Sequence, residues 1–350
     1  MAARLIIVGA GSVGTSLGAR LLKAGRDVAF VVRRPEQAEA LKRHGLSLED
    51  PASGERFNVT CPVTLGFEAL EAEHPSHVLL CVPATETAEL APALAQRFPH
   101  LPIVSVQNDV DNESKIAKHH SRVIGAVWRQ TCTRISDHEV RALGRARVIL
   151  GAYPEGEGED VQRLATEFRA AGLDVAISGR IMQDKWLKFC VNLMSAPNAL
   201  VRPEQHVQSL FVLGKVGLLA EAREVLSRAE IVTDSCDGKD RSIAEEIEFQ
   251  KASLARGTSS RRVPVFNQVW RSLKERSAAS SRARGPSEAE CYHERIITLG
   301  AQSGVPTPLN QRMKKCVAEA YEQKLGPECF DVTQVFDENE VEINTRTLGG

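Results

Sequence analysis

The sequence is most informative first in what it lacks. Its formal net charge is −1, and lysine and arginine are spread along the chain rather than gathered on one stretch. That leaves no electrostatic footprint for nucleic acid or an anionic membrane surface. No apolar run approaches the length of a membrane span. Eight cysteines are present, at 61, 81, 132, 190, 236, 291, 316 and 329, yet none forms a CxxC pair or a Cys/His cluster. The pattern fits reduced thiols in apolar surroundings and argues against a zinc site. There is no internal repeat. The first apolar run begins within four residues of Met1, which leaves no room for a cleaved leader, so a soluble cytoplasmic protein without metal is expected. A chain of 350 residues with 43% apolar content predicts two domains, each able to bury a core.

What is present is concentrated near the N-terminus. Leu5-Ile6-Ile7-Val8 is an unbroken apolar run, as expected for a strand buried on both faces of a parallel sheet. Gly9, Gly11 and Gly14 follow with G-x-G-x-x-G spacing, and Leu17, Leu21 and Leu22 continue at helical spacing. Val28-Ala29-Phe30-Val31-Val32 closes a βαβ unit of about thirty residues. In such a unit the first glycine permits the tight turn and the second lets backbone approach a pyrophosphate. The third allows close helix–strand packing, and the helix start offers free N–H groups to the phosphates. Gly9, Gly11, Ser12, Val13 and Gly14 are therefore the expected cofactor contacts. After the second strand stand Arg33-Arg34, where NAD sites carry an acid to hold the ribose hydroxyls. A guanidinium binds phosphate bidentately and a carboxylate would repel it, so Arg33 points to NADP(H).

Further along, 35–44 reads as a helix with proline in its first turn, and 46–64 as a small hairpin turning at Pro51-Ala52-Ser53-Gly54. His77-Val78-Leu79-Leu80-Cys81-Val82 and Ile103-Val104-Ser105-Val106 read as buried parallel strands, the second ending in Gln107-Asn108-Asp109. Ligands of open α/β sheets bind at the carboxyl ends of strands, which makes Asn108 a candidate to position cofactor or substrate; a turn-forming role fits it equally. The β-like stretches within 122–153 suggest an antiparallel extension of the sheet. From Gly179 the pattern turns helical and stays so. The expected fold is an α/β Rossmann-type domain (1–179), an all-α substrate or dimerisation domain (180–326) and a loosely held tail (327–350). The long helices from Glu204 onward are candidates for a homodimer interface.

Residues 181–197 read IMQDKWLKFCVNLMSAP, apolar nearly all round. Lys185, Lys188, Asn192 and Ser195 fall on one stripe roughly 80° wide at 100° per residue. Such a stripe faces water, a partner or a cleft, and a desolvated lysine there becomes a usable proton donor.

These motifs together resemble the ketopantoate reductase (2-dehydropantoate 2-reductase) family. The likeness rests on GAGSVG followed by arginine after the second strand, on Gln107-Asn108, and on Trp186-Leu187-Lys188-Phe189-Cys190-Val191-Asn192. It also rests on Ser287-Glu288-Ala289-Glu290, leading to Gly304-Val305-Pro306-Thr307-Pro308-Leu309-Asn310. The resemblance implies an NADPH-dependent oxidoreductase of pantothenate biosynthesis acting on a small 2-oxo acid. It makes Lys188 the general acid, Glu288 the acid completing the catalytic site, Asn192 the amide that hydrogen-bonds substrate, Asn108 the asparagine beside the nicotinamide and Arg33 the 2′-phosphate ligand. The chain departs from the family's pattern at Pro83, where lysine is frequent, at Asp109, where glycine follows Gln-Asn, and at Ala196, where a second asparagine is usual. The serine expected to hold the substrate carboxylate falls by count on Arg276, with Ser272 and Ser280 nearby; Ser272 is taken as the candidate. The departures leave open a reductase of another ketone, or a non-catalytic NADP(H)-binding protein of the same fold.

Overall fold

A computed structural model describes residues 4–51, 53–67, 75–256, 267–278 and 288–342. The chain divides into two units, 1–185 and 186–350. The sequence pattern places the change from strands to helices at Gly179–Arg180. The division itself falls a few residues later, inside a helix.

The first unit contains, in chain order, β1 (Arg4–Val8), α1 (Ser12–Lys23), β2 (Val28–Val32), α2 (Pro35–His44), β3 (Leu46–Asp50), β4 (Glu55–Val59), β5 (Val63–Leu65) and β6 (Pro75–Leu80). There follow α3 (Thr87–Arg97), β7 (Ile103–Ser105), α4 (Asn112–Ala117), β8 (Val123–Trp128), β9 (Thr131–Arg134), β10 (Glu139–Leu143), β11 (Arg147–Ala152), α5 (Glu159–Ala170) and β12 (Asp174–Ile177). The helix α6 (Ile181–Leu193) starts in this unit and continues into the second.

Eight strands form one sheet in the order β12-β11-β8-β7-β6-β1-β2-β5. Every neighbouring pair is parallel except β8 with β11. The stretch from β5 to β8 has the strand order of a doubly wound nucleotide-binding sheet, whose order reverses between β1 and β6. The central strands are apolar throughout because both faces are covered: all five residues of β2 are buried.

The expected antiparallel extension from 122–153 is corrected in its detail. β8 runs parallel to β7, and only its β11 edge is antiparallel. β9 and β10 leave the main sheet altogether and join β3 and β4 in a second, four-stranded sheet, β4-β3-β10-β9. The link is the parallel pairing of β10 with β3, which sets Val140 beside Leu48. Alternating residues announce a half-buried strand without naming its partner, and this partner lies some ninety residues away in the chain.

The second unit holds α7 (Ser195–Leu200), α8 (Ser209–Arg228), α9 (Ile243–Ala255), α10 (Gln268–Ala278), α11 (Glu288–Ser303), α12 (Pro308–Glu322) and α13 (Val332–Val335). Its core draws on α7, α8, α10, α11 and α12. The tail expectation for 327–350 is overturned for its described part. Phe330, Val332, Val335, Phe336 and Val341 are all buried in that core. Phe336 lies against Gly214 of α8, where a Cβ would meet its ring at 2.5 Å. The apolar residues here come in ones and twos among polar and acidic ones, so no period reveals them, yet these five find a place in the helical core. Among the described residues no helix is long and apolar enough to cross a membrane, and no group of three or more His, Cys, Asp or Glu residues has the arrangement of a metal site.

Candidate active site

The glycine loop sits where the strand order reverses. Gly9 follows β1 directly with φ at +100°, and a Cβ there would lie 2.8 Å from Val82 Cγ1 and 3.0 Å from the Cys81 carbonyl oxygen. A Cβ on Gly14 would come within 2.1 Å of the Gly9 carbonyl oxygen. Those two positions are closed by the protein itself. Gly11 differs: its Cβ would meet nothing nearer than the Cys81 carbonyl oxygen at 3.7 Å. Packing does not demand a glycine at that point, whereas the approach of a ligand's phosphates does. Gly11 is also the N-cap of α1, with no side-chain cap, so the first-turn N–H groups at Ser12, Val13 and Gly14 lack intrahelical acceptors. The residues therefore fit a dinucleotide whose pyrophosphate rests on this helix start.

Two strands from β1, past the intervening β6, β7 ends in Gln107-Asn108. Gln107 is buried, and its amide nitrogen donates to the Val82 carbonyl (2.9 Å), the Pro83 carbonyl (3.2 Å) and Thr87 Oγ1 (2.9 Å). Thr87 in turn donates to Asn112 Oδ1 at 2.8 Å. Gln107 thus ties the carboxyl end of β6 to that of β7, and Asn108 is left half-buried beside it. Asp109 turns its carboxylate back onto its own chain, accepting the Val110 N–H at 2.7 Å, and is buried.

Lys185, the first member of the polar stripe on α6, is almost wholly buried. Its ammonium is ion-paired with Glu113 of α4 and donates to the Gln107 carbonyl at 3.2 Å. Asp184 beside it is buried too and accepts from Ser178 Oγ at 2.6 Å. The start of α6 is therefore anchored to the strand end that carries Asn108. Sequence reasoning placed Lys185 in the stripe but missed its partner, because nothing near Glu113 marks it as a residue bound for the interior.

In the second unit, Lys188 and Asn192 lie half-buried one helical turn apart on α6. The Phe189 ring packs edge-on against Tyr292, with centroids 5.3 Å apart. Tyr292 lies one turn beyond Glu288, so α6 beside Lys188 packs on α11 near its first residue. The Glu288 side chain itself lies outside the described residues, as do Ser280 and the Arg276 side chain. Ser272 is half-buried on α10. Asn267, just before that helix, donates to the Ser195 carbonyl at 2.9 Å and holds α10 to the start of α7. The expected site residues thus form two sets. Gly9, Gly11, Ser12, Val13, Gly14, Arg33 and Asn108 lie at the carboxyl edge of the sheet, and Lys188, Asn192, Ser272 and Glu288 on three helices of the second unit.

Arg33 follows β2 directly, with its guanidinium 2.9 Å from Glu86 and the side chains 76% and 19% exposed. Burial raises the Glu86 carboxyl above the ordinary carboxylate range, helped by Glu89, while Arg33 opposes the rise.

A glycine loop opening a helix at the reversal point of a doubly wound sheet, followed by a helical domain, has the architecture of the dinucleotide-binding class of α/β proteins. Residues 5–155 match the family model described as "Ketopantoate reductase PanE/ApbA". The chain is 24% identical over 217 residues to the 2-dehydropantoate 2-reductase of Pyrococcus horikoshii, covering 60% of this chain and 70% of that one. It is 28% identical over 259 residues to the enzyme of that name from Mesorhizobium japonicum, covering 66% and 76%. Among solved structures, D-mandelate dehydrogenase with NADH and anilino(oxo)acetate superposes with a TM-score of 0.74 at 17% identity, covering 92% of this chain and 99% of that one. The 2-dehydropantoate 2-reductase of Methylococcus capsulatus gives a TM-score of 0.68 at 20% identity over 92% and 97%. The chain is similar in sequence to 2-dehydropantoate 2-reductases and shares their fold.

Proposed function

We propose that the protein is an NADPH-dependent reductase of a 2-oxo acid, with 2-dehydropantoate the leading substrate and pantoate its product. The observation that carries this reading is the open approach at Gly11 on the same sheet edge as Asn108, in a chain that keeps Trp186-x-Lys188-x-x-x-Asn192. Gly9, Gly11, Ser12, Val13 and Gly14 cradle the pyrophosphate, and Arg33 meets the 2′-phosphate. The bound nicotinamide supplies the hydride. Lys188 donates a proton to the carbonyl oxygen as negative charge develops there. Asn192 and Asn108 hydrogen-bond the substrate, Ser272 holds its carboxylate, and Glu288 completes the catalytic site. The favourable dipole position at the start of α11 is a structural role Glu288 can fill at the same time.

A second reading, a reductase of a different ketone, is favoured by Pro83 and Ala196. Both remove polar side chains usual at the substrate end. The related fold of D-mandelate dehydrogenase shows that this architecture does not fix the ketone. NADPH and NADH oxidation assayed in parallel with 2-dehydropantoate and with smaller and larger 2-oxo acids separates the readings. Turnover with 2-dehydropantoate above all others supports the first, and a preference for another oxo acid supports the second. Tight NADPH binding with no turnover on any of them points instead to a non-catalytic binding protein.

A further inference from the structure

The end of β2 is flanked by more cationic groups than the family resemblance assigns. Arg33 reaches Glu86, in the turn that follows β6. Arg34 reaches the opposite way and is ion-paired with Asp137, in the turn between β9 and β10. Arg134, the last residue of β9, places Nη1 3.7 Å from the same Asp137 carboxylate. Three guanidiniums therefore face two carboxylates, and Asp137 alone serves two of them.

The turn that brings Arg134 and Asp137 here is fastened to the nucleotide loop. The Arg134 backbone N–H donates to Ser12 Oγ at 3.1 Å, on the first residue of α1. The buried Gln37 amide donates to the Ala10 carbonyl within the glycine loop (2.7 Å) and to the Asp137 carbonyl (3.4 Å). His138 stacks on His44 at the end of α2, with centroids 4.7 Å apart. Arg134 is thus held beside the loop that takes the pyrophosphate, although it comes from the second sheet and lies a hundred residues beyond Arg34.

We propose that Arg134 and Arg34 form a second wall of the 2′-phosphate site, facing Arg33, and that Asp137 is a resident competitor that the phosphate displaces. The proposal rests on the reading of the cofactor as NADP(H). The charges suit it. A 2′-phosphate carries up to two negative charges and can accept from both guanidiniums at once, whereas Asp137 holds Arg134 only at the long distance of an incomplete ion pair. A dinucleotide without that phosphate leaves the Asp137 pairs undisturbed and gains nothing from Arg134. Preference between the two cofactors is then set by Arg134 and Asp137 as well as by the residues at the end of β2.

The test is direct binding, without turnover. Dissociation constants for NADPH, NADH and adenosine 2′,5′-bisphosphate are measured on the wild type, Arg134→Gln and Asp137→Asn, with thermal melts to confirm that each variant is folded. Losing one charge-assisted contact in Arg134→Gln is expected to weaken NADPH and the bisphosphate by about tenfold or more, with NADH changed by no more than about twofold. Asp137→Asn is expected to tighten NADPH and the bisphosphate and leave NADH unchanged. An Arg134→Gln variant with an unaltered NADPH/NADH ratio overturns the proposal while leaving the cofactor assignment standing, and so does weaker NADPH binding by Asp137→Asn. A wild type that binds NADH more tightly than NADPH overturns the cofactor assignment itself, and the proposal with it.

Discussion

The ammonium of Lys185 and the carboxylate of Glu113 form an ion pair in which the two side chains are 3% and 0% exposed. The pair joins α6 to α4, and the same ammonium reaches the carbonyl that precedes Asn108. Breaking a buried pair from one side leaves a charge without its partner in a low-dielectric interior, at a cost of about 3–5 kcal/mol, whereas replacing both partners by apolar groups of similar size is often near neutral. Lys185→Met alone is therefore expected to be strongly destabilised, and Lys185→Met combined with Glu113→Leu to recover most of the loss. Urea denaturation of the wild type, the single variant and the double variant checks this. Equal destabilisation of the single and double variants contradicts it.

The glycine loop gives a prediction that separates packing from binding. Gly14→Ala forces a Cβ to within 2.1 Å of the Gly9 carbonyl oxygen, so the variant is expected to lose stability as well as cofactor. Gly11→Val meets little of the protein near its Cβ and is expected to lose less stability than Gly14→Ala, the cost being that of a poorer N-cap, while losing dinucleotide binding. Melting curves set beside fluorescence titrations with NADPH decide the matter. A Gly11→Val variant that binds normally removes the argument for a phosphate cradle.

His293 carries a pH prediction in the second unit. It is buried, its Nδ1 lies 2.8 Å from Asn310 Oδ1, and burial pushes its pKa down to about 4 while the Asn310 bond opposes the shift. The folded protein thus holds His293 neutral at pH values where the unfolded chain protonates it. The resulting loss of stability is absent above about pH 6.5 and grows by about 1.4 kcal/mol per pH unit as pH falls toward 4. His293→Gln, which keeps a polar group toward Asn310, is expected to flatten that part of the profile. Denaturation midpoints measured between pH 4 and 8 report it, and identical slopes for wild type and variant refute the assignment.

Phe336 tests the corrected reading of the C-terminal segment. Its ring packs into the second core against Gly214 and, edge-on, against Phe211 with centroids 6.5 Å apart. Phe336→Ala is expected to cost about 3–5 kcal/mol in equilibrium unfolding. A change below about 0.5 kcal/mol, the scale of an exposed surface substitution, restores the view of 327–350 as a loose tail.

How much of this was legible in the sequence follows from the range of the forces involved. Leu5 to Val8, the glycine spacing and Val28 to Val32 announce themselves because a strand covered on both faces must be apolar at every position. The helices of the second half announce themselves by their period. Long-range pairings do not. Nothing within Leu46–Asp50 says that it meets Glu139–Leu143, and hence nothing places Arg134 and Asp137 at the nucleotide loop. Glu113 and Gln107 look like surface residues of a turn, yet both are buried, Glu113 paired with Lys185 and Gln107 with the carbonyls of Val82 and Pro83. The candidate residues could be named from their spacing, whereas the buried groups that pack beside them could not.

The central claim, that Lys188 protonates the substrate oxygen, is tested by Lys188→Ala assayed for NADPH oxidation with 2-dehydropantoate and, separately, for NADPH binding at equilibrium. Loss of a positioned proton donor predicts a kcat lower by about 10²–10⁴ with the NADPH dissociation constant unchanged. A kcat within a few-fold of the wild type would contradict the assignment.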